Sequence, residues 1–228
     1  AFSIGATILI KDNGKIKFAN LNLNKPESFT HNFVWDYKDF ESIPAAEQLE
    51  SISDISELSH NIISSYLKNK NVAIDATLGN GHDTDFLYLN FNKVYAFDIQ
   101  EEACLKYKEK NKENVEVICD SHHKFNDYIK ENVDCIMYNL GFLPGASKEI
   151  TTKYNTSLES IKLGLDLLNP GGIMTICIYS GHDEGKREKT CILDFLKQIS
   201  KKQYGVMIHE FLNRSETAPM LAVIEKVS

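Results

Sequence analysis

Val72-Ala73-Ile74-Asp75-Ala76-Thr77-Leu78-Gly79-Asn80-Gly81-His82-Asp83-Thr84 decides the fold. It reads as an apolar strand closed by Asp75, a turn with two glycines, and a helix that opens at His82. Gly79 and Gly81 let the backbone turn tightly and keep side chains out of the space beside it, while free amides at a helix start suit a carboxylate or phosphate. The stretch predicts a cofactor cradle. A bare Gly-x-Gly also marks ordinary turns, so the next strand has to decide. That strand, Lys93 to Phe97, ends in Asp98, seventeen residues past Gly81. An acid there can accept both hydroxyls of a ribose, and in a doubly wound sheet it faces the cradle across the crevice beyond the strand ends. Two glycines and Asp98 together predict a nucleoside-containing cofactor without saying which.

Outward from the cradle, strands and helices alternate. After strand 93–98 come helix 100–111, strand 115–119, a short helix near 124–130 and strand 133–138; then helix 151–168, stopped by Asn169-Pro170-Gly171-Gly172, strand 173–179 and helix 186–199. This rhythm predicts a parallel sheet. The chain closes with apolar runs at 204–212 and 220–226, joined by a polar loop from Asn213 to Pro219 that is too short for a crossover helix. Those two strands are predicted to be antiparallel neighbours. Upstream, Ile55, Leu58, Ile62, Ile63, Tyr66 and Leu67 form one helical stripe, with Asp54 and Glu57 as a capping box.

Residues 4–19 alternate apolar and polar around Asp12-Asn13-Gly14, a strong hairpin signal. Residues 20–44 carry Phe29, Phe33, Trp35, Tyr37 and Phe40 without helical spacing. An isolated hairpin is marginal, so these aromatics are expected to fasten it onto the main domain or onto a second copy of the chain, which makes a homodimer an expected partner state. The predicted architecture is α/β and Rossmann-like: a seven-stranded, mostly parallel sheet with a C-terminal antiparallel pair, plus an N-terminal β-hairpin extension. The expected division is a hairpin and aromatic extension over 1–50 and a cofactor-binding domain over 51–228.

At 228 residues the chain suits one α/β domain with a modest appendage, and 43% hydrophobic with 25% charged residues is ordinary globular composition. A net charge of −7 argues against a broad basic surface that tracks a nucleic-acid backbone. The lysines at 106–112, 186–189 and 201–202 read as solvated helix faces. Cys104, Cys119, Cys135, Cys177 and Cys191 show no Cys-x-x-Cys pair, and are expected to be reduced and buried. No run reaches the eighteen apolar residues of a membrane span and no signal peptide is visible, so a cytoplasmic protein with no membrane partner is expected. His122 and His123 lack a carboxylate or cysteine at ligand spacing, so no metal site is expected.

The predicted strand order is similar to that of the class I S-adenosylmethionine-dependent methyltransferases. Asp75 falls where these enzymes keep an acid after the first strand, and Asp98 matches their ribose-binding acid. Asp120, followed by Ser121 and His122, falls where they contact the adenine amino group. After the next strand, Asn139-Leu140-Gly141-Phe142 resembles the Asn-Pro-Pro-aromatic motif of amino-group methyltransferases, with Leu140 and Gly141 where that motif has prolines. With Tyr179-Ser180-Gly181-His182 and Glu210-Phe211-Leu212-Asn213, the chain from 54 to 226 resembles the bacterial rRNA methylase family, whose characterised members methylate the amine of 5-aminomethyl-2-thiouridine at the tRNA wobble position.

That resemblance implies S-adenosyl-L-methionine as cofactor, held by Asp75, Thr77, Gly79, Asn80, Gly81, His82, Asp83 and Thr84 in the cradle. Asp98, Ile99 and Gln100 follow the second strand, and Asp120, Ser121 and His122 the third. It implies catalysis at Asn139, Leu140, Gly141 and Phe142, substrate contacts at Tyr179 and His182, and an RNA partner, the tRNA anticodon loop first. Asn139 would accept the amine hydrogens and aim the nitrogen lone pair, and Phe142 would stack on the base. The alternatives are an rRNA methyltransferase and a non-catalytic cofactor-binding module. An NAD-dependent oxidoreductase is disfavoured, because Thr84 stands where the dinucleotide fingerprint needs a third glycine or alanine.

Overall fold

The computed structural model describes residues 5–12, 15–22, 54–141 and 154–227. The chain divides into two compact units, Ala1–Glu50 and Ser51–Ser228. In the first, β1 (Gly5–Asp12) and β2 (Lys15–Asn22) pair antiparallel with Asp12 opposite Lys15, the register of a two-residue connection. The second strand runs three residues past the expected 19. Residues 23–53, with all five aromatics of the 20–44 stretch, lie outside the described residues.

In the second unit, α1 (Ile55–Tyr66) starts where Asp54 accepts from the amides of Ser56 and Glu57 at 2.9 and 3.3 Å, satisfying two of the orphan donors of the first turn. It buries Ile55, Ser59 and Ile63. There follow β3 (Val72–Asp75), α2 (His82–Asn90), β4 (Lys93–Asp98), α3 (Glu101–Lys108) and β5 (Val115–Cys119). A 3-10 turn at His122–Lys124 runs into α4 (Phe125–Tyr128), and β6 (Val133–Leu140) comes next. The chain ends with α5 (Tyr154–Leu167), β7 (Leu168–Ile178), α6 (Asp183–Leu196), β8 (Tyr204–His209) and β9 (Met220–Lys226).

The seven strands lie in the order β5-β4-β3-β6-β7-β9-β8. The pairs from β5 to β7 are parallel, and β9 is antiparallel to both β7 and β8. The sheet steps outward from β3 through β4 to β5, then returns to β6 on β3's other side. That reversal opens a crevice at the carboxyl ends of β3 and β6. All four residues of β3 are buried, as a central parallel strand covered on both faces requires. Ile74, Phe97, Ile136, Leu140, Ile176 and Ile178 fill one side of the core with at most 1% exposure, and each such side chain contributes about 1.5–3 kcal/mol of burial.

The Asn169-Pro170-Gly171-Gly172 break falls inside β7 rather than before it. Val133 pairs with Leu168 and Cys135 already with Ile173, so the four residues bulge out of the ladder at a register shift, with Gly171 at φ 78°. Asp134 pins this bulge, accepting from Asn169 Nδ2 at 2.8 Å and from the amide of Asn71 at 2.8 Å. Among the cysteines, Cys104, Cys135 and Cys177 are buried and Cys191 is partly so, but Cys119 is exposed. It ends β5, an edge strand, on the face whose Val115 and Val117 pack toward α3, and there it stays exposed. No helix among the described residues is long and apolar enough to cross a membrane.

Candidate active site

The crevice holds a cavity of about 980 Å³, and its lining comes from the carboxyl ends of β3, β4, β5, β6 and β7 together with α1. That volume suits a cofactor of nucleoside size beside an acceptor group. Of the cradle residues, Thr77, Gly79, Asn80, His82 and Asp83 line it. Gly79 adopts φ 49°, the left-handed turn that glycine reaches without a Cβ penalty.

Gly81 does not face the ligand space. It caps α2 at φ 81°, and a Cβ there would meet the Tyr107 ring at 2.4 Å. The expectation that this glycine keeps room for a ligand is thus corrected: it keeps room for α3. Asp75 and Thr84 are fully buried beneath the cradle. Asp75 accepts from the amide of Thr77 at 3.0 Å and from the Thr84 hydroxyl. Burial, and then the neighbouring Asp83 charge, push the Asp75 carboxyl up to about 7.

On the β4 side, Asp98 ties the turn to the strand end. One carboxylate oxygen accepts from Gly79 N at 2.8 Å and the other from Gln100 N at 2.9 Å. A carboxylate has about four acceptor positions, so two remain for hydroxyls in the crevice. Ile99 and Gln100 also line the cavity, and Ile99 is 58% exposed, an apolar face presented to it.

Beyond β5, Asp120 accepts from the Ser121 amide at 2.7 Å, Lys124 at 2.9 Å and the Tyr128 hydroxyl at 2.8 Å. The Lys124 contact leads in holding its carboxyl down, to about 2. Ser121 and His122 line the cavity beside it. Burial pushes the His122 imidazole down to about 4, and its Nδ1 has no partner among the described residues.

At the β6 end, Asn139, Leu140 and Gly141 line the cavity; Phe142 lies outside the described residues. The Asn139 amide donates to Thr77 Oγ1 at 2.7 Å. Its side-chain Nδ2 donates to Asp83 Oδ2 at 2.6 Å, and its Oδ1 accepts from Ser56 Oγ at 3.3 Å. The other Asp83 oxygen takes His60 Nε2 at 2.7 Å. Tyr179, 37% exposed at the end of β7, also lines the cavity, and burial pushes its hydroxyl up to about 12. His182 sits at the N-cap of α6, off the lining.

The site thus includes α1, which the sequence offered only as a core helix. Asp54 and Glu57, expected only as a helix cap, line the cavity with Ser56 and His60 of α1 and Thr156 of α5, for which the sequence predicts no role. The one available signal was that Ser56 and His60 stand four apart on a helix, one turn apart on one face. Among the described residues no cluster of His, Cys, Asp or Glu could hold a metal.

The doubly wound sheet with an inserted antiparallel last strand, and a crevice lined by acids at successive strand ends, define the class I methyltransferase fold. Residues 94–225 match the family described as "Putative rRNA methylase", and the chain belongs to that family. Over 188 residues it is 30% identical to the tRNA (mnm(5)s(2)U34)-methyltransferase, chloroplastic, of Arabidopsis thaliana, covering 75% of this chain and 68% of that one. Among solved structures, a "putative rRNA-methylase" from Clostridium thermocellum is 35% identical with a TM-score of 0.73, covering 77% of this chain and 99% of the other. A "putative methyltransferase" from Streptococcus mutans, in complex with SAH, is 42% identical with a TM-score of 0.71 at the same coverage.

Proposed function

We propose that this chain, an S-adenosylmethionine-dependent methyltransferase of the RNA-methylase type, N-methylates the aminomethyl group of 5-aminomethyl-2-thiouridine at the wobble position of tRNA. The observation that carries the reading is the Asn139 carboxamide, set in a cavity whose same end is lined by Asp54, Glu57 and Asp83. Asp54 and Glu57 on the lining would draw in a group that arrives as an ammonium, and the Asn139 carbonyl has a lone pair left for an N–H of the amine that reacts. A neutral base edge would gain little from the two carboxylates. The substrate in the Arabidopsis relative's name, mnm(5)s(2)U34 of tRNA, supports the same assignment.

The residues present fit the cofactor: an acid with spare acceptor positions, a glycine turn on the lining, and an apolar face beside them. Asp98 would take the ribose hydroxyls, with Ile99 and Gln100 beside the adenine. Asp120, Ser121 and His122 would read the adenine edge, and Thr77, Gly79, Asn80 and His82 would hold the amino-acid end. When bound, the cofactor supplies a methyl group already activated on a sulfonium, so this chain's residues have mainly to orient the acceptor.

An alkylamine of lysine-like pKa is neutral in roughly one molecule in two thousand at pH 7. The sulfonium charge of the bound cofactor would favour the neutral form, and Asn139 Oδ1, accepting an amine hydrogen, would aim its lone pair. Tyr179 and Phe142 would pack on the uracil ring, with His182 farther out on the rim. With a net charge of −7 the protein gains little from long backbone contacts, and a flipped-out loop nucleotide is the RNA target it can best reach.

The decisive assay offers purified enzyme tRNA carrying the unmethylated aminomethyl uridine beside the same tRNA with an unmodified wobble base. Methylation of the first alone is expected; equal methylation of both, or product only in rRNA, refutes the amine assignment. Residues 1–50 are assigned as an accessory unit, which could join two copies of the chain. Deleting 1–44 is expected to leave affinity for S-adenosylhomocysteine intact, and light scattering on both forms reads any change of assembly.

A further inference from the structure

The two ends of an asparagine carboxamide are nearly the same size but opposite in hydrogen bonding, so what Asn139 presents to an acceptor depends on what grips its other end. Its Nδ2 donates to Asp83 Oδ2 at 2.6 Å, and its Oδ1 accepts from Ser56 Oγ at 3.3 Å. A carboxylate only accepts; it holds the amino end and would repel the carbonyl of a flipped amide. The Ser56 contact takes one lone pair of Oδ1 and leaves the second. Asp83 is in turn fixed from behind. His60 Nε2 donates to its other oxygen at 2.7 Å, and the His60 ring lies flat on Phe86, with centroids 4.1 Å apart and planes 5° from parallel. Asp83 is 4% exposed, so these charge-assisted bonds are shielded from water and strong. Ser56 and His60 stand one turn apart on α1, so one helix face grips both ends of the Asn139–Asp83 pair.

We propose that Asp83 is a positioning residue that sets acceptor specificity. By holding the amino end of Asn139 it commits the carbonyl to the cavity, so the site accepts a methyl acceptor that brings an N–H donor, while His60 holds Asp83 in that orientation. This rests on the amine reading above and adds to it the reason why an amine is chosen. Asp83 had been expected to touch the cofactor. Its two oxygens are instead directed at Asn139 and His60.

The test is a double-mutant cycle on methyl transfer to tRNA at saturating cofactor, with Asp83→Asn, Asn139→Ala and the double variant. Because Asp83 acts through Asn139, Asp83→Asn slows transfer about 10- to 100-fold in the wild-type background and by no more than about 2-fold in the Asn139→Ala background. Affinity for S-adenosylhomocysteine is unchanged throughout. Losses that multiply across the cycle, or a matching loss of cofactor affinity, overturn the proposal. A purely structural role would give that pattern.

A second measurement needs no substrate. In NMR spectra the Asn139 side-chain amide, identified by its absence in Asn139→Ala, has one proton shifted downfield by the carboxylate. The shift persists in His60→Gln, which keeps a donor, and collapses in Asp83→Asn. An amide signal that Asp83→Asn does not move overturns the proposal, whereas wild-type enzyme that ignores the aminomethyl tRNA overturns only the amine reading.

Discussion

At its Asp98 end the crevice is held by carboxylates that each take at least one backbone amide, whereas at its Asn139 end it is held by side chains gripping side chains. Asp98 takes the amides of Gly79 and Gln100, and Asp120 those of Ser121 and the side chains one and two turns ahead. Asn139, Asp83, His60 and Ser56 join across sequence separations of 56, 23 and 83. Backbone amides are present whatever the residue, so the first end keeps its anchor on the turn as long as Asp98 is present. The second exists only while each partner keeps its identity. The difference separates holding a common cofactor from choosing an uncommon acceptor.

The largest effect is expected behind the cradle turn, where Gly81 meets Tyr107 of α3. Gly81→Val would force a β-branched residue to φ 81° and drive its Cβ toward Tyr107, at 2.4 Å. Left-handed backbone and overpacking together cost about 2–5 kcal/mol. Thermal unfolding should show a large drop in Tm. A variant as stable as wild type, with cofactor binding abolished, would return Gly81 to the ligand side and erase the distinction drawn at that position.

Next in size, Asn139→Ala is expected to slow methyl transfer by about 100-fold, close to 2.7 kcal/mol, with S-adenosylhomocysteine affinity nearly unchanged. Asp98→Ala should do the converse. It removes an acceptor of ribose hydroxyls and two anchors of the turn, weakening binding by about 1.5–3 kcal/mol in calorimetry. If each substitution lowered rate and affinity alike, the two ends would be one coupled unit.

What was legible in the sequence follows the same division. Strands β4 and β5 lie where apolar runs and turn residues place them, and the acids at their ends are marked by position alone. The same local logic could not show that Gly81 faces α3, because Gly-x-Gly reports a permitted backbone and not what lies on either side. Nor could it show that β5 is an edge strand whose end leaves Cys119 exposed, since sheet order is set by long-range pairing. The Asp83–His60 contact joins α2 to α1 and carries no periodic signature. His60 and Ser56 fall on a helix whose apolar stripe explains its packing without them.

The smallest effect is expected in the wild-type protein itself, in the pH dependence of its cofactor-free stability, and it comes from two buried groups of opposite sign. Under the Asn139 end, Asp75 has its pKa raised from 3.8 to about 7, first by burial. Its contribution is fully present below the unfolded value and is lost as pH rises toward 7. Under the adenine end, His122 is lowered from 6.5 to about 4 by burial. Its contribution is present above the unfolded value and is lost as pH falls toward 4. Between about pH 4 and 6.5 the folded chain holds one proton more than the unfolded chain at Asp75 and one fewer at His122. The two slopes, each up to about 1.4 kcal/mol per pH unit, cancel. Asp75→Asn leaves the His122 slope alone, so Tm should then climb from pH 4.5 to 6.5. His122→Asn leaves the Asp75 slope, so Tm should fall over the same range. Parallel profiles in the two variants would show that these groups do not titrate as their burial requires, and that the two floors of the crevice are electrostatically alike.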